Sequence, residues 1–362
     1  MNIDLVLNKD NFSREEIAFL LALTDAEDIG KLYQRAYQVK MKHVGNTVYL
    51  RGIVEFSNIC EKDCNYCGIR RSNRAVKRFQ MAREEIVEAA VWAYESNYGS
   101  AVLQSGERSD PAFVDFVEET LVAIKQRTDG QLGITISLGE QSPETYQRWF
   151  DAGAHRYLLR IETSNPELYA SLHPADHSFE KRVRCLGYLK EAGYQVGTGV
   201  MIGLPGQSIA DLADDVFFFK EQDVDMIGMG PFIPHHETPM ASELDGYDGE
   251  RQLELGLKMV AVTRLVLKDV NIAAATALQA LKFDGREMGL KAGANIIMPN
   301  VSDTKYREGY QLYDNKPCLD ENSKQCRGCL INRIKGIGES IGFDKWGDSP
   351  HFTRANGGKG AR

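Results

Sequence analysis

From about residue 47 the chain alternates between two spacings of its apolar positions. Short β-rich runs are followed by longer stretches whose apolar residues recur every three or four positions. The runs predict eight strands: Val48–Phe56, Ala101–Gln104, Gly133–Leu138, Arg156–Glu162, Val196–Ile202, Met226–Phe232, Ile272–Ala277 and Asn295–Met298. Between them the spacing predicts helices, one carrying Val87, Ala90, Val91 and Tyr94 on one face. Another follows Ser208 with Ile209, Leu212, Val216 and Phe219. Strands separated by helices make parallel βαβ units, and eight of them make a closed (β/α)8 barrel of the TIM type. A doubly wound open sheet is the competing α/β arrangement.

Residues 1–45 read as a charged helical extension, with Ser13-Arg-Glu-Glu16 as a capping box. Past residue 300 the alternation stops. Residues 301–362 form a polar C-terminal segment whose end, Ala355-Asn-Gly-Gly-Lys-Gly-Ala-Arg362, reads as mobile. The expected division is therefore 1–45, 46–300 and 301–362.

Composition narrows the possibilities. Hydrophobic residues are 43% of the 362, enough for a sizeable core, and the formal net charge is −8 without a long single-sign tract. That balance argues against non-specific nucleic-acid binding. No run approaches the roughly 18 apolar residues of a membrane span, and Met1-Asn-Ile-Asp-Leu5 does not read as a signal peptide, so a cytoplasmic protein is expected. There are seven cysteines. Six fall into two clusters of three, which in a reducing compartment favours metal binding over disulfides. Cys185 is left over inside a helical pattern and reads as a small core hydrophobe.

The first cluster is Cys60-Glu-Lys-Asp-Cys64-Asn-Tyr-Cys67, spaced C-x3-C-x2-C. Structural zinc wants four ligands, and an electron-transfer cluster normally has four cysteines. Three thiolates on one short loop can hold three irons of a four-iron cluster and leave the fourth open to a small molecule. This loop follows the first strand, and other polar residues fall at later strand ends. They are Ser105-Gly106-Glu107, Gly139-Glu140, Glu162, Gly203-Leu-Pro-Gly-Gln207, Pro231-Phe-Ile-Pro-His235-His236 and Thr276. Barrel enzymes build their sites there. Alternation puts Arg156, Arg160 and Glu162 on one face of the fourth strand.

With Tyr66 before the third cysteine, this loop after a first barrel strand resembles the signature of the radical S-adenosylmethionine (SAM) family. The resemblance implies a 4Fe–4S cluster on Cys60, Cys64 and Cys67, with SAM on the open iron and a 5′-deoxyadenosyl radical as product of its cleavage. Tyr66 then belongs to the cofactor site, as do Ser105, Gly106 and Glu107, which match the motif that receives the SAM amino group. Gly199-Val-Met201-Ile-Gly203 resembles the motif near the adenine, although the usual acidic residue after it is absent and Gln207 stands nearby. From about residue 13 to about 348 longer phrases, among them EFSNIC, NYCGIRR, RYLLRIETSNP and IIMPN, are similar to the HydE family of FeFe-hydrogenase maturases. That likeness implies that Glu162 and Arg182 hold the SAM ribose and carboxylate. It also implies that Arg156, Arg160, Thr276, Tyr310 and Tyr313 line an inner cavity that binds anions.

The second cluster, Cys318-x7-Cys326-x2-Cys329, has the spacing of an auxiliary 2Fe–2S or 4Fe–4S cluster in some members, expected to sit peripheral to the radical site. A zinc knuckle is the other reading, with His351 as a candidate fourth ligand. Ile161, where family members carry a histidine, alternates away from Arg160 and Glu162. The basic run Arg70, Arg71, Arg74, Lys77, Arg78 reads as a solvated or ion-paired surface, or else as a dock for an acidic electron donor or partner maturase. His235 and His236, adjacent on an extended segment, should point apart and not chelate together.

The expected function is radical SAM chemistry in assembly of the hydrogenase di-iron site, on an iron–cysteine complex bearing CO and cyanide. The expected partners are that substrate, an electron donor such as flavodoxin or ferredoxin, and other hydrogenase maturases, without nucleic acid or membrane. The alternatives are a radical SAM enzyme of methylornithine synthase or biotin synthase type on a small organic substrate, and a non-catalytic iron–sulfur carrier. A sacrificial cluster of the biotin synthase kind needs strand cysteines, and Cys185 is on a helix.

Overall fold

The computed structural model describes residues 1–243 and 246–357. Part of the tail read as mobile, 358–362, lies outside the described residues. Eleven short strands are present among those described: β1 (Thr47–Ser57), β2 (Ser100–Ser105), β3 (Gly133–Ser137), β4 (Arg156–Leu158), β5 (Gln195–Thr198), β6 (Met201–Ile202), β7 (Met226–Ile227), β8 (Gly230–Pro231), β9 (Asn271–Ile272), β10 (Ile296–Ile297) and β11 (Ser340–Ile341). Eight of them pair in the parallel order β10-β1-β2-β3-β4-β5-β7-β9. A bridge between Ala273 and Ile296, with Ala274 N–H donating to the Ile296 carbonyl at 2.9 Å, joins the last strand back to the first. The sheet is a complete parallel barrel, not an open doubly wound sheet.

The strands expected at Arg156–Glu162, Val196–Ile202 and Met226–Phe232 are each broken. Side chains and glycines take over their ladders. The Thr198 hydroxyl donates to the Leu159 carbonyl at 2.8 Å and accepts the Ile161 N–H at 3.2 Å. Pairing resumes only at the Glu162–Val200 bridge. Gly199 and Gly228 approach so closely that a Cβ on Gly199 would strike the Gly228 carbonyl. Beyond that point β6 and β8 pair with each other as a small second sheet. Residue 276 does not end a strand; it opens the helix Thr276–Leu281.

The helix faces are largely those expected, with Tyr94 and Ile209 only half-buried at their edges. Val87, Ala90 and Val91 are buried on Arg83–Glu95, and Leu212, Val216 and Phe219 on Ile209–Glu221. Cys185 is buried on Phe179–Glu191. The Ser13 capping box is formed, with Ser13 Oγ accepting from Glu16 N–H and Glu16 accepting from Ser13 N–H. The helices Arg14–Leu21 and Ala26–His43 pack on the barrel helices Ile209–Glu221 and Gly249–Leu267. They share one hydrophobic core with the barrel.

The C-terminal segment reaches both ends of the barrel. At the mouth, the Leu312 carbonyl accepts the Gly68 N–H at 3.0 Å and the Gly309 carbonyl accepts Asn58 Nδ2 at 2.7 Å. At the bottom, the Gly347 carbonyl accepts from Arg51 and Asn271, and the Asp348 carboxylate accepts from Arg156 at 2.7 Å and Gln195 at 2.7 Å.

Candidate active site

A β-bulge between Glu55 and Ser57 ends β1 and turns the chain into the cysteine loop. The loop is fastened from inside the basic run. Arg78 donates to the carbonyls of Asn58 (2.6 Å), Ile69 (2.8 Å) and Asn73 (3.1 Å), and Arg70 Nε meets Asp63 at 2.8 Å. Two of the five cations are thus structural; Arg71, Arg74 and Lys77 are exposed. The neighbouring strand end presses directly on the loop. Glu107 N–H points at Cys60 Sγ from 3.4 Å, and Glu61 N–H donates to the Glu107 carbonyl at 2.8 Å. A Cβ on Gly106 would run into the Ile59 carbonyl, so only glycine allows that approach. Burial raises the thiol pKa of all three cysteines, Cys64 to about 12. Loading a metal there must therefore expel protons.

Beside the thiols lies a dense charge network. Glu107 and Glu140 are buried at the ends of β2 and β3, and Arg182 reaches between them, 2.7 Å from Glu140 and 3.6 Å from Glu107. Lys62, from the cysteine loop itself, stands 3.3 Å from Glu107 and 3.6 Å from Glu140. Burial raises the Glu107 pKa despite both cations. For Arg182 burial works the other way, and the two carboxylates outweigh it, holding the guanidinium well above its usual pKa. Glu107 Oε1 accepts no hydrogen bond among the described residues. Glu162 sits at φ 67°, in left-handed backbone that costs a non-glycine residue about 1–3 kcal/mol. Its carboxylate pairs with Arg160 at 2.9 Å, and burial raises its pKa. Met201 packs with Leu172, Leu204, Phe232 and Met240 beside Tyr66, an apolar shelf at the mouth. Gln207 does not face that shelf. Its oxygen accepts the Gly203 and Leu204 N–H groups and so shapes the turn.

These groups open into one cavity of about 340 Å³ that runs down the barrel axis. Its walls carry Arg160, Thr276, Tyr310 and Tyr313, as expected, and also Glu55, Lys316 and Arg286, which sequence reasoning missed. Lys316 reaches Glu55 at 2.5 Å, and Arg286 donates to Thr276 Oγ1 at 2.8 Å. Arg156 is a correction. It lies at the opposite end of the barrel, fully buried and paired with Asp348, and does not line the cavity. The strand face it shares with Arg160 is interrupted at Leu159–Ile161, and the two arginines part company there. Ile161 is fully buried in the core, pointing away as expected.

The second trio is split. Cys318 and Cys326 line this same cavity, so they are not peripheral to it. With Glu321 they offer three ligand atoms within 4.8 Å. Cys329, one turn on along the helix Ser323–Gly336, is exposed. A hydrogen bond from Cys326 lowers the Cys318 thiol pKa to about 7. His351 cannot join them, because its Nδ1 is 2.9 Å from Asp225 at the barrel bottom. His235 and His236 do not point apart. Their rings stack at 4.7 Å, because the chain leaves extended structure for a turn there.

Residues 54–219 match the radical SAM superfamily model. Over 342 residues, 94% of this chain and 95% of the relative, the sequence is 46% identical to the [FeFe] hydrogenase maturase subunit HydE of Thermotoga maritima. The chain belongs to the HydE family of radical SAM enzymes. The match to that relative covers nearly the whole chain. More distant relatives share the scaffold. A solved methylornithine synthase is 27% identical with a TM-score of 0.81, over 94% of this chain and 97% of that one. A biotin synthase of Picosynechococcus is 29% identical over 81% of this chain and 80% of its own length.

The residues of this HydE-family chain fit a cluster and SAM. Three free thiols share one cavity. The Gly106 approach leaves a Glu107 N–H aimed at a cysteine sulfur, and the buried Glu107 Oε1, 3.3 Å from Lys62 Nζ, accepts no hydrogen bond among the described residues. Lys62 and Glu140, which complete the charge network, carried one usable signal. Both sit in or beside strand-end motifs already singled out. Arg286, Lys316 and Glu55 carried none, since their partners are 10 to 261 residues away.

Proposed function

We propose that this enzyme generates a 5′-deoxyadenosyl radical at the barrel mouth and uses it on an iron–cysteine complex carrying CO and cyanide during assembly of the FeFe-hydrogenase di-iron site. The observation that carries the reading is the single cavity. It joins the three thiols, then Glu107, Glu162 and Arg182, then Arg160 and Arg286. A bound 4Fe–4S cluster and SAM supply one-electron cleavage of a carbon–sulfur bond and hence the radical. Cys60, Cys64 and Cys67 would hold that cluster. Arg182, kept protonated by two carboxylates, would take the SAM carboxylate bidentately. Glu162 would accept from the ribose hydroxyls, with Arg160 orienting its carboxylate. Tyr66 and Met201 would flank the adenine on the apolar shelf. Ser105 and Gly106 would present backbone to the SAM amino group. Deeper in, Arg160, Thr276, Tyr310 and Tyr313 would hold an anionic substrate away from bulk water.

Within this reading Cys318, Cys326 and Cys329 hold an auxiliary cluster, for which Cys329 must swing in from the surface. The electron donor is a flavodoxin or ferredoxin, and the chain works beside other hydrogenase maturases in the reducing cytoplasm. Its parts are the helical extension 1–45, the barrel 46–300 and the segment 301–362. Among the described residues no helix is long and apolar enough to cross a membrane. Reduction with SAM under anaerobic conditions tests the first half of the reading. It should yield 5′-deoxyadenosine, and none at all would leave an iron–sulfur carrier instead. Addition of the iron–cysteine complex tests the second half by its consumption. A methylornithine-type substrate consumed in its place would favour the small-molecule reading, which the fit to methylornithine synthase over 94% of the chain supports.

A further inference from the structure

Two histidines that do not line the cavity converge on the Cys64 sulfur. His173 and His177 stand four apart in His173-Pro-Ala-Asp-His177, the H-x3-H spacing common in zinc sites. The His177 N–H donates to the Pro174 carbonyl at 3.0 Å, closing the turn that brings the two rings together at 5.3 Å. The Cys64 sulfur and one nitrogen of each ring lie within 4.8 Å of one another.

Chemistry as well as proximity favours a metal. His173 Nδ1 is 2.8 Å from the Tyr169 carbonyl. A carbonyl only accepts, so Nδ1 carries the proton and Nε2 presents its lone pair. A ligating histidine is typically held by this kind of backbone partner. Its Nε2 has only the Tyr66 hydroxyl, 3.4 Å away. The His177 side chain is 2% exposed, and its Nδ1 has no hydrogen-bond partner among the described residues. A buried polar atom without a partner is costly, and a metal would remove that cost. The other histidine pair differs on this point. His235 Nδ1 accepts the Glu237 N–H at 3.1 Å, which puts the proton on Nε2, the atom that faces Asp314.

We propose that, before the cluster is inserted, Cys64, His173 and His177 form a mononuclear site for a divalent transition metal of the zinc type. Binding replaces the Cys64 thiol proton, which leaves to solvent; no electron moves. The fourth position stays open to water. Because Cys64 cannot serve this site and the cluster loop with the same geometry, the ion delays cluster assembly. The site stands on its three residues and does not depend on which substrate the enzyme uses.

The test uses the full chain, cluster-free and anaerobic, with Cys318, Cys326 and Cys329 replaced by serine so that only this region reports. Titrated with Co²⁺, it should show thiolate-to-cobalt absorption at one equivalent. His173→Ala and His177→Ala should each weaken cobalt at least about tenfold, while Cys60→Ser and Cys67→Ser keep it. His177→Gln, closer in volume, guards against a folding defect and should weaken cobalt as well. Zn²⁺ at one equivalent should slow cluster reconstitution in the parent and not in His177→Gln. Cobalt lost in Cys60→Ser and Cys67→Ser but undiminished in the histidine variants would overturn the proposal, as would equal slowing by zinc in His177→Gln.

Discussion

The two ends of the barrel are built from the same materials, buried arginines and carboxylates, and treat them in opposite ways. At the bottom, Arg156 donates to Thr135 Oγ1, the Trp346 carbonyl and Asp348, and Gln195 donates to the same Asp348 oxygen. The plug is closely paired, although Arg156 Nη2 and Arg51 Nε have no hydrogen-bond partner among the described residues. At the mouth, Arg182 pairs with Glu140 at 2.7 Å, the contacts of Lys62 and Glu107 are longer, at 3.3 to 3.6 Å, and Glu162 is held in strained backbone. Neither end has all its buried polar atoms paired, but those at the bottom do not line the cavity. At the mouth Lys62, Glu107, Glu162 and Arg182 line the cavity, where a ligand can reach them. The lesson is that neither a buried arginine near a carboxylate nor an unmet hydrogen bond is itself a sign of a site; what marks one is that such groups line a cavity.

The comparison can be broken by changing one end at a time. The largest effect should come from Cys64→Ala, which should abolish 5′-deoxyadenosine formation, while Cys326→Ala leaves most of it; equal loss would mean that the second trio serves the radical step. Next is Arg160→Leu. It should still cleave SAM but no longer consume the iron–cysteine complex, and normal consumption would remove Arg160 from the substrate end. Third is Asp348→Ala, which strands Arg156 without its charge partner. Denaturant unfolding should show a loss of about 3–5 kcal/mol, with SAM cleavage per folded molecule unchanged. Fourth, Gly106→Ala should cost about 1–3 kcal/mol through overpacking, and here cleavage should fall too, because the displaced atoms belong to the cysteine loop.

The smallest effect is the pH dependence of the bottom plug. Burial raises the Asp348 pKa, but the His155 hydrogen bond and the Arg156 charge outweigh it and hold it at about 2. Its contribution is complete above the unfolded value near 4 and is lost as pH falls toward 2. Burial, followed by the Arg156 charge, lowers the His155 pKa to about 3. The folded state keeps His155 neutral while the unfolded chain takes up its proton below about 6.5, so stability also falls from there toward pH 3. The Tm should decline across both windows on acidification. His155→Gln should flatten the upper one in part, since His173, also lowered to about 3 by burial, contributes there as well.

Much of the barrel was legible because a parallel strand buried on both faces and an amphipathic helix leave different periods in the sequence. The cysteine loop was legible because cluster ligands are local. The strand interruptions were not, since they depend on Thr198 answering for a missing ladder and on two glycines meeting across strands. Arg156 was misplaced for the same reason. Alternation assigns a face but not a height along the barrel. The partners of Arg286, Lys316 and Asp348 are set by chain closure, which no local pattern records.

The C-terminal segment has one consequence that lies in time. Synthesis proceeds from the N-terminus, so Cys60, Cys64 and Cys67 are made long before the Leu312 carbonyl can take the Gly68 N–H at the end of their loop and before Asp348 can neutralise Arg156. During that interval the bottom of the barrel has neither Trp346 nor Asp348 over Arg156, and the cysteine loop has no Leu312 backbone beside it. Completion of the last fifty or so residues then closes both ends together. Metal supplied from outside should therefore reach the cysteine loop more readily before those residues are in place than after.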